Sequence, residues 1–389
     1  RHFSFTYREI DMRLVLSLWA VALLALPATA ETKITWKKTV LDSKFRSEGV
    51  AIADVNKDGK IDVLNGEYWY EAPDWKPHEL QPFKDHGTGL SNYSRSFACW
   101  TEDFNGDGFL DLIVIDFPGV PCYWMENPKG KDSHWKKHTI WHSACNETPL
   151  YVDLFGNGKR VLVMGFQPKG KNTAGNEGQL AWFAPGSDPT KEWDMHPISE
   201  PTVMGKVPPG TGRFSHGLGV GDLNGDSRQD VITTGGWWEG PEKDEGKPWK
   251  FHPANLGEAC ADMYVHDVDG DGKMDVLSSS AHKFGIWWHR QVPGKDHPSF
   301  VKNDIFKELV SETHAMHFVD MDGDGLKDLV TGKRWWSHGR AEPGSDWPAM
   351  LYWMGAPVAP SFSVLVPSAC ANRPRPIPGS ASASSNICS

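Results

Sequence analysis

The sequence predicts an all-β fold, a β-propeller of four-stranded blades, of the seven-bladed type and shortened to about six blades. Three observations carry this. A nine-residue acidic string recurs along the chain, short alternating apolar stretches flank every copy, and a Trp-x-x-His tag returns once per interval. Self-similarity at a period of 40 to 70 residues is the mark of a radial or stacked repeat, in which each unit buries its apolar faces against its neighbours.

The strings begin at Asp54, Asp103, Asp222, Asp267 and Asp320 and share the pattern D-x-[DN]-x-D-[GS]-x-x-D, with a sixth, degenerate copy at Asp153. Their first aspartates are 49, 50, 69, 45 and 53 residues apart, each about the length of one four-stranded sheet. Before each string stands a stretch such as Gly49 to Ala53, and after it one such as Asp111 to Ile115, so the string is read as the hairpin turn between a blade's first two strands. A third strand carries aromatics, at Tyr68-Trp69-Tyr70, Tyr123-Trp124, Trp182-Phe183, Trp237-Trp238 and Trp287-Trp288. The fourth carries the tag, at Trp75/His78, Trp135/His138, Trp193/His196 and Trp249/His252. Trp36 to Leu41 reads as a fourth strand with no first three ahead of it, which predicts a lost seventh blade; the alternative is a six-bladed ring in which this strand pairs directly beside Leu351.

These strings resemble the FG-GAP/VCBS repeat family, the propellers also found at the head of integrin alpha chains, over roughly Trp36 to Met354. The resemblance implies a binding or adhesion module, some members of the family being polysaccharide-cleaving enzymes instead. The third string lacks its later carboxylates, and Ser227 stands where the fourth should have glycine.

Alternating Asp/Asn oxygens with a sharp reversal form a cage of hard donors suited to calcium. Up to five structural Ca²⁺ sites are expected: Asp54, Asn56, Asp58 and Asp62; Asp103, Asn105, Asp107 and Asp111; Asp222, Asn224, Asp226 and Asp230; Asp267, Asp269, Asp271 and Asp275; Asp320, Asp322, Asp324 and Asp328. The last two sets offer four carboxylates each and are expected to bind most tightly. Together the strings hold 17 of the 50 acidic residues, which would repel one another without a counter-ion. The bland alternative is a set of polar Asx turns that need no metal.

Six residues before each first aspartate, where the innermost strand begins, stand Glu48, Phe97, Glu147, His216, Ala261 and His314, with Asp262 one place later and Arg46, Arg95 and Arg213 just ahead. Glu48, Glu147, His216, Asp262 and His314 are therefore the candidate ligand-binding residues, on the face opposite the acidic loops and around the channel mouth; a solvated rim is the alternative. No catalytic residue is assigned. The tag histidines and the Trp pairs are read as blade packing.

Domain boundaries follow. Residues 1–11 precede a plausible start at Met12 and read as upstream mistranslation. Residues 12–30 have the charged start, apolar core and Ala28-Thr29-Ala30 ending of a signal peptide, the apolar run being short for a spanning anchor. Residues 31–354 form the propeller, and 355–389, without Asp, Glu, Lys or Trp, read as a disordered tail. Export is thus expected, with no membrane span after cleavage. A net charge of −10 without a basic cluster argues against nucleic acid. The partner expected is a protein or glycan. The six cysteines lack metal spacing, and Cys99 and Cys145 are read either as a disulfide or as buried thiols.

Overall fold

In the computed structural model, which describes residues 37–89, 92–170, 177–202, 210–333, 341–355 and 363–365, the strands form six sheets of four. Each sheet is an antiparallel meander in chain order, and the blades span residues 51–79, 98–141, 150–197, 219–253, 264–311 and 316–365. Each acidic string is the turn between strands one and two. Its ninth residue opens strand two and pairs with the residue just before its first: Ala53 with Asp62, Glu102 with Asp111, Gly221 with Asp230, His266 with Asp275 and Val319 with Asp328.

Five apolar clusters form the core, each shared between successive blades. Second and third strands together supply more than half of it; Asp111–Ile115 and Val161–Phe166 are buried at every position, because both of their faces meet a neighbouring blade. The third-strand aromatics are the spacers: Trp69, Trp124 and Trp237 are all buried. On each, the tag histidine of the same blade stacks. Ring centroids are 4.2 Å apart for Trp69 and His78, 4.4 Å for Trp124 and His138, 3.7 Å for Trp182 and His196, and 4.1 Å for Trp237 and His252.

The tag tryptophan has a second role that explains its recurrence. Trp135 donates its backbone N–H to Leu80, Trp193 to Ile140 and Trp249 to Ile198, each time reaching the carbonyl at the end of the preceding blade. Tag residues thus stitch blades as well as filling them. Innermost strands approach closely enough to require glycine: a Cβ on Gly219 would come within 2.6 Å of the Met263 carbonyl oxygen, and the two residues form a parallel bridge between blades four and five.

The two end blades differ from the rest. On blade one Val50 and Ile52 are more than 60% exposed, and on blade six Val319 and Leu351 are more than 40% exposed. Among the described residues no apolar cluster joins blade six to blade one.

Two expectations are corrected here. Residues 37–41 form no strand, Trp36 lying outside the described residues, so neither form of ring closure by this segment is seen. Blade six takes its fourth strand from Ser363–Leu365, inside the segment read as a disordered tail: Trp353 pairs with Leu365, Met354 with Val364 and Gly355 with Ser363. Three residues of ordinary strand composition suffice because strand three presents an open hydrogen-bonding edge. The expected signal peptide, residues 1–11 and the remainder of the tail lie outside the described residues. Cys99, Cys122, Cys145 and Cys260 are buried free thiols, so Cys99 and Cys145 are thiols rather than a disulfide. Burial pushes each of these up to about 12. Among the described residues no helix is long and apolar enough to cross a membrane.

Candidate functional site

Two groups of polar side chains stand at opposite ends of the strands. At one end are the acidic loops. Their first aspartates accept the loop's own amides: Asp103 and Asp222 each bind three, including those of Gly108 and Ser227. Their ninth aspartates are buried and bind outward to the sheet. Asp62 accepts the amides of Val55 and Ala72, Asp111 those of Phe104 and Asn127, Asp230 those of Leu223 and Gly240, and Asp275 those of Val268 and Gln291, at 2.7–3.1 Å. Asp328 accepts the amide of Met321. The ninth carboxylate is therefore a staple tying the turn to the third strand, whatever else it binds.

Burial raises the pKa of Asp62 and Asp275 and pushes Asp111 and Asp230 up to about 7, against the lowering pull of those amides. Nearby cations offset part of the charge: Lys60 on Asp58 and Lys273 on Asp271 at 2.8 Å, Arg290 on Asp269 at 2.6 Å, and Arg228 on Asp226. Carboxylate oxygens of Asp267, Asp269 and Asp271, and of Asp320, Asp322 and Asp328, lie within 4.8 Å of one another. This donor set, all oxygen, fits a hard divalent cation.

Ser227 has φ +70°, the left-handed conformation its glycine counterparts adopt. The degenerate third loop keeps the turn: Asp153 accepts the amides of Asn157 and Gly158, while buried Val161 replaces the ninth aspartate. The turn itself does not depend on the full acidic set.

At the other end the fold gathers His216 from ahead of blade four, His282 from the turn between strands two and three of blade five, and His314 from ahead of blade six. In a meander that turn lies at the same end as the start of strand one, which is why the three meet. Ring centroids are 4.8 Å apart for His216 and His282, 5.3 Å for His216 and His314, and 5.6 Å for His282 and His314, with planes crossing at 70–89°. One nitrogen from each ring lies within 4.8 Å of the others. Glu147, ahead of blade three, puts Oε2 3.2 Å from His216 Nε2.

Each Nδ1 is engaged behind the cluster. His216 Nδ1 is 2.9 Å from the Phe214 carbonyl, His314 Nδ1 is 3.1 Å from the Glu312 carbonyl, and His282 Nδ1 is 2.8 Å from Glu342 Oε1. Phe214 and Glu312, each two residues before a histidine of the cluster, have φ +60° and +53°. The left-handed region costs a residue with a side chain about 1–2 kcal/mol, so both turns are held against local preference. Lys333 Nζ, 3.7 Å from Glu312 Oε2, braces the second turn from within; both side chains are almost wholly buried. Burial, then the neighbouring His216, lowers the His314 pKa to about 3, so this imidazole is neutral across the physiological range.

The structure brings together three of the five residues assigned to this face, Glu147, His216 and His314. Glu48 is bonded to Ser94 between blades one and two, and Asp262 accepts the Met316 amide while burial raises its pKa to about 7. The arginines just ahead are likewise committed: Arg46 to Asp42, Arg95 to Glu67 and Arg213 to the Pro118 carbonyl. His282, Glu342, Glu312 and Lys333 escaped the sequence reading. The available signal was the return of the second turn to this end of each blade.

Between blades one and two lies a cleft of about 810 Å³ lined by Lys84, Asp85, Tyr93, Arg95, Asp116, Phe117 and Lys137, among others. Tyr93, Phe97, Phe117 and Phe214 form a chain of rings, with successive contacts at 5.5–5.7 Å, leading from the cleft toward His216.

Residues 267–331, which run from the fifth acidic string to the second strand of blade six, match the FG-GAP-like repeat model. This segment carries an FG-GAP-like repeat. No curated protein matches it. Among solved structures, similarity extends to an Agrocybe aegerita lectin described for recognition of non-reducing terminal N-acetylglucosamine (16% identity, 81% of this chain and 78% of that one, TM-score 0.46). The V. cholerae biofilm matrix protein Bap1 shares 14% identity over 68% of this chain and 38% of its own (TM-score 0.34). The rhamnogalacturonan lyase YesW shares 12% over 78% and 69% (TM-score 0.39).

Proposed function

We propose that this FG-GAP-repeat propeller is an exported, calcium-stabilised binding module that takes a carbohydrate ligand on the face away from its acidic loops. The cleft lined by Tyr93 and Phe117 carries the reading. Its rims are aromatic, Tyr93 and Phe117, and its charged groups are of both signs, Lys84 and Lys137 facing Asp85 and Asp116, with Arg95 already paired to Glu67. Sugar hydroxyls donate and accept in equal measure and sugar C–H faces stack on rings, so such a lining favours an uncharged glycan over an acidic one. Calcium is assigned to the five acidic loops, where the oxygen donor set supports it, and export to the charged, apolar and small-residue order of residues 12–30.

The test is a glycan array with the mature chain in calcium, followed by titration of Tyr93→Ala and Phe117→Ala. Each substitution is expected to weaken binding by about fivefold or more, at about 1–3 kcal/mol per lost stack. Absence of any glycan signal, with a protein captured instead at the same cleft, would replace the glycan by a protein ligand. A second reading, a carbohydrate-active enzyme on the same face, is favoured by one observation, the Glu147 carboxylate beside His216. Lyase and hydrolase assays on polysaccharides decide it.

A further inference from the structure

The three imidazoles do not behave as packing. The tag histidines His78, His138 and His252 stack on a tryptophan and bond to a carboxylate. His216, His282 and His314 instead stand edge-on to one another, with Nδ1 of each taken by an oxygen acceptor behind it. A nitrogen hydrogen-bonded to a carbonyl or carboxylate oxygen carries the proton, so in the neutral ring Nε2 holds the lone pair. His216 is 8% exposed, and its Nε2, despite lying 3.2 Å from Glu147, completes no hydrogen bond.

We propose that His216, His282 and His314 ligate a divalent first-row transition-metal ion through Nε2, with the Glu147 carboxylate beside it as a further ligand or as the base for a metal-bound ligand. Imidazole nitrogens select zinc-class ions over calcium, so the site is chemically distinct from the acidic loops. The backbone carbonyls of Phe214 and Glu312 and the carboxylate of Glu342 are the outer partners that fix ring tautomer and orientation, as at metal-bound histidines generally. The geometry is near rather than final. With bonds of about 2.1 Å, ligand nitrogens in a tetrahedral site are about 3.4 Å apart, against up to 4.8 Å here, a difference that small ring rotations close. Two left-handed residues held in equivalent positions ahead of two of the ligands are the structural investment that such a site repays.

The assignment does not use the glycan reading, and its test contains no glycan. The mature full-length chain, stripped with chelator and returned to saturating Ca²⁺, is titrated with Co²⁺. One equivalent with the intense visible ligand-field bands of a low-coordinate nitrogen site is expected, bands that Zn²⁺ then abolishes. His282→Gln, at a side chain about one-third exposed, should weaken Co²⁺ binding at least tenfold while the calcium-dependent melting temperature is unchanged. A wild-type chain without such bands, or a His282→Gln chain that binds as the wild type does, overturns the proposal. X-ray absorption of the Zn²⁺-loaded wild type keeps the question open to refutation should the variant not fold: imidazole scattering from three rings supports the site, and a shell of oxygens alone rejects it.

Discussion

The two ends of this propeller solve opposite problems with opposite materials. The acidic loops are exposed, local and repeated: nine consecutive residues make one loop, and the chain makes it five times with a sixth worn copy. The histidine end is half-buried, non-local and made once, from residues contributed by blades three, four, five and six. At the loop end equivalence between blades is preserved, because the same turn must hold the same pair of strands each time. At the histidine end equivalence is broken: the six positions that begin the innermost strands hold Glu48, Phe97, Glu147, His216, Ala261 and His314. Repetition builds the scaffold, and divergence at one register of the repeat builds the site.

Calcium removal should break the comparison hardest. A site filled at a hundred times its Kd contributes about 2.7 kcal/mol, so emptying up to five should lower the melting temperature by more than about 10 °C in scanning calorimetry with and without chelator. An unchanged melting temperature would reduce the acidic loops to plain turns. Asp153→Asn, in the worn loop, should leave the calcium effect intact and so marks off the loops that bind.

Acid should load the buried histidine of a blade body. His289 is buried in blade five, 2.8 Å from Ser278 Oγ, and burial, with Lys302 nearby, lowers its pKa to about 4 from an ordinary 6.5. The unfolded chain therefore takes up a proton at a higher pH than the folded chain. The contribution is whole above pH 6.5 and is lost as the pH falls toward 4, by about 3 kcal/mol at 1.36 kcal/mol per unit. Denaturant midpoints measured across that range should flatten in His289→Gln, at least in part; an identical slope in the variant would assign the acid sensitivity elsewhere.

The smallest effect sharpens the loop side. Ser227 sits at φ +70° where four equivalent positions of the acidic loops have glycine, so Ser227→Gly should raise stability by up to about 1 kcal/mol. Urea midpoints of the two chains, in calcium, would show it. A loss of stability would mean that the serine side chain contributes something its backbone strain does not reveal.

How much of this was legible depends on how far apart the cooperating residues lie. The loops were readable because donor, turn residue and flanking strand fall within a dozen positions. Blade order was readable because Trp135, Trp193 and Trp249 return at the same place in each unit, doing the same job of bonding to the blade before. His282 was not, since the turn holding it has no repeated signature, and only the meander brings that turn to the end where His216 and His314 begin their strands. Glu48 and Asp262 occupy or adjoin the right register yet are engaged by Ser94 and the Met316 amide, a choice made by neighbours distant in the chain. The strand Ser363–Leu365 carries no blade motif and is recruited by an open edge.

By itself, then, the amino-acid sequence determined the period, the strand count per blade and the placement of seventeen acidic side chains on the turns, all consequences of short-range backbone preference and repeated apolar alternation. Tertiary structure alone decided which four blades meet at the histidine cluster and which thiols stay apart. It also left Val50, Ile52, Val319 and Leu351 uncovered at the two end blades. Those outcomes turn on distances between segments tens of residues apart, which are set by packing one sheet against the next and not by any local rule.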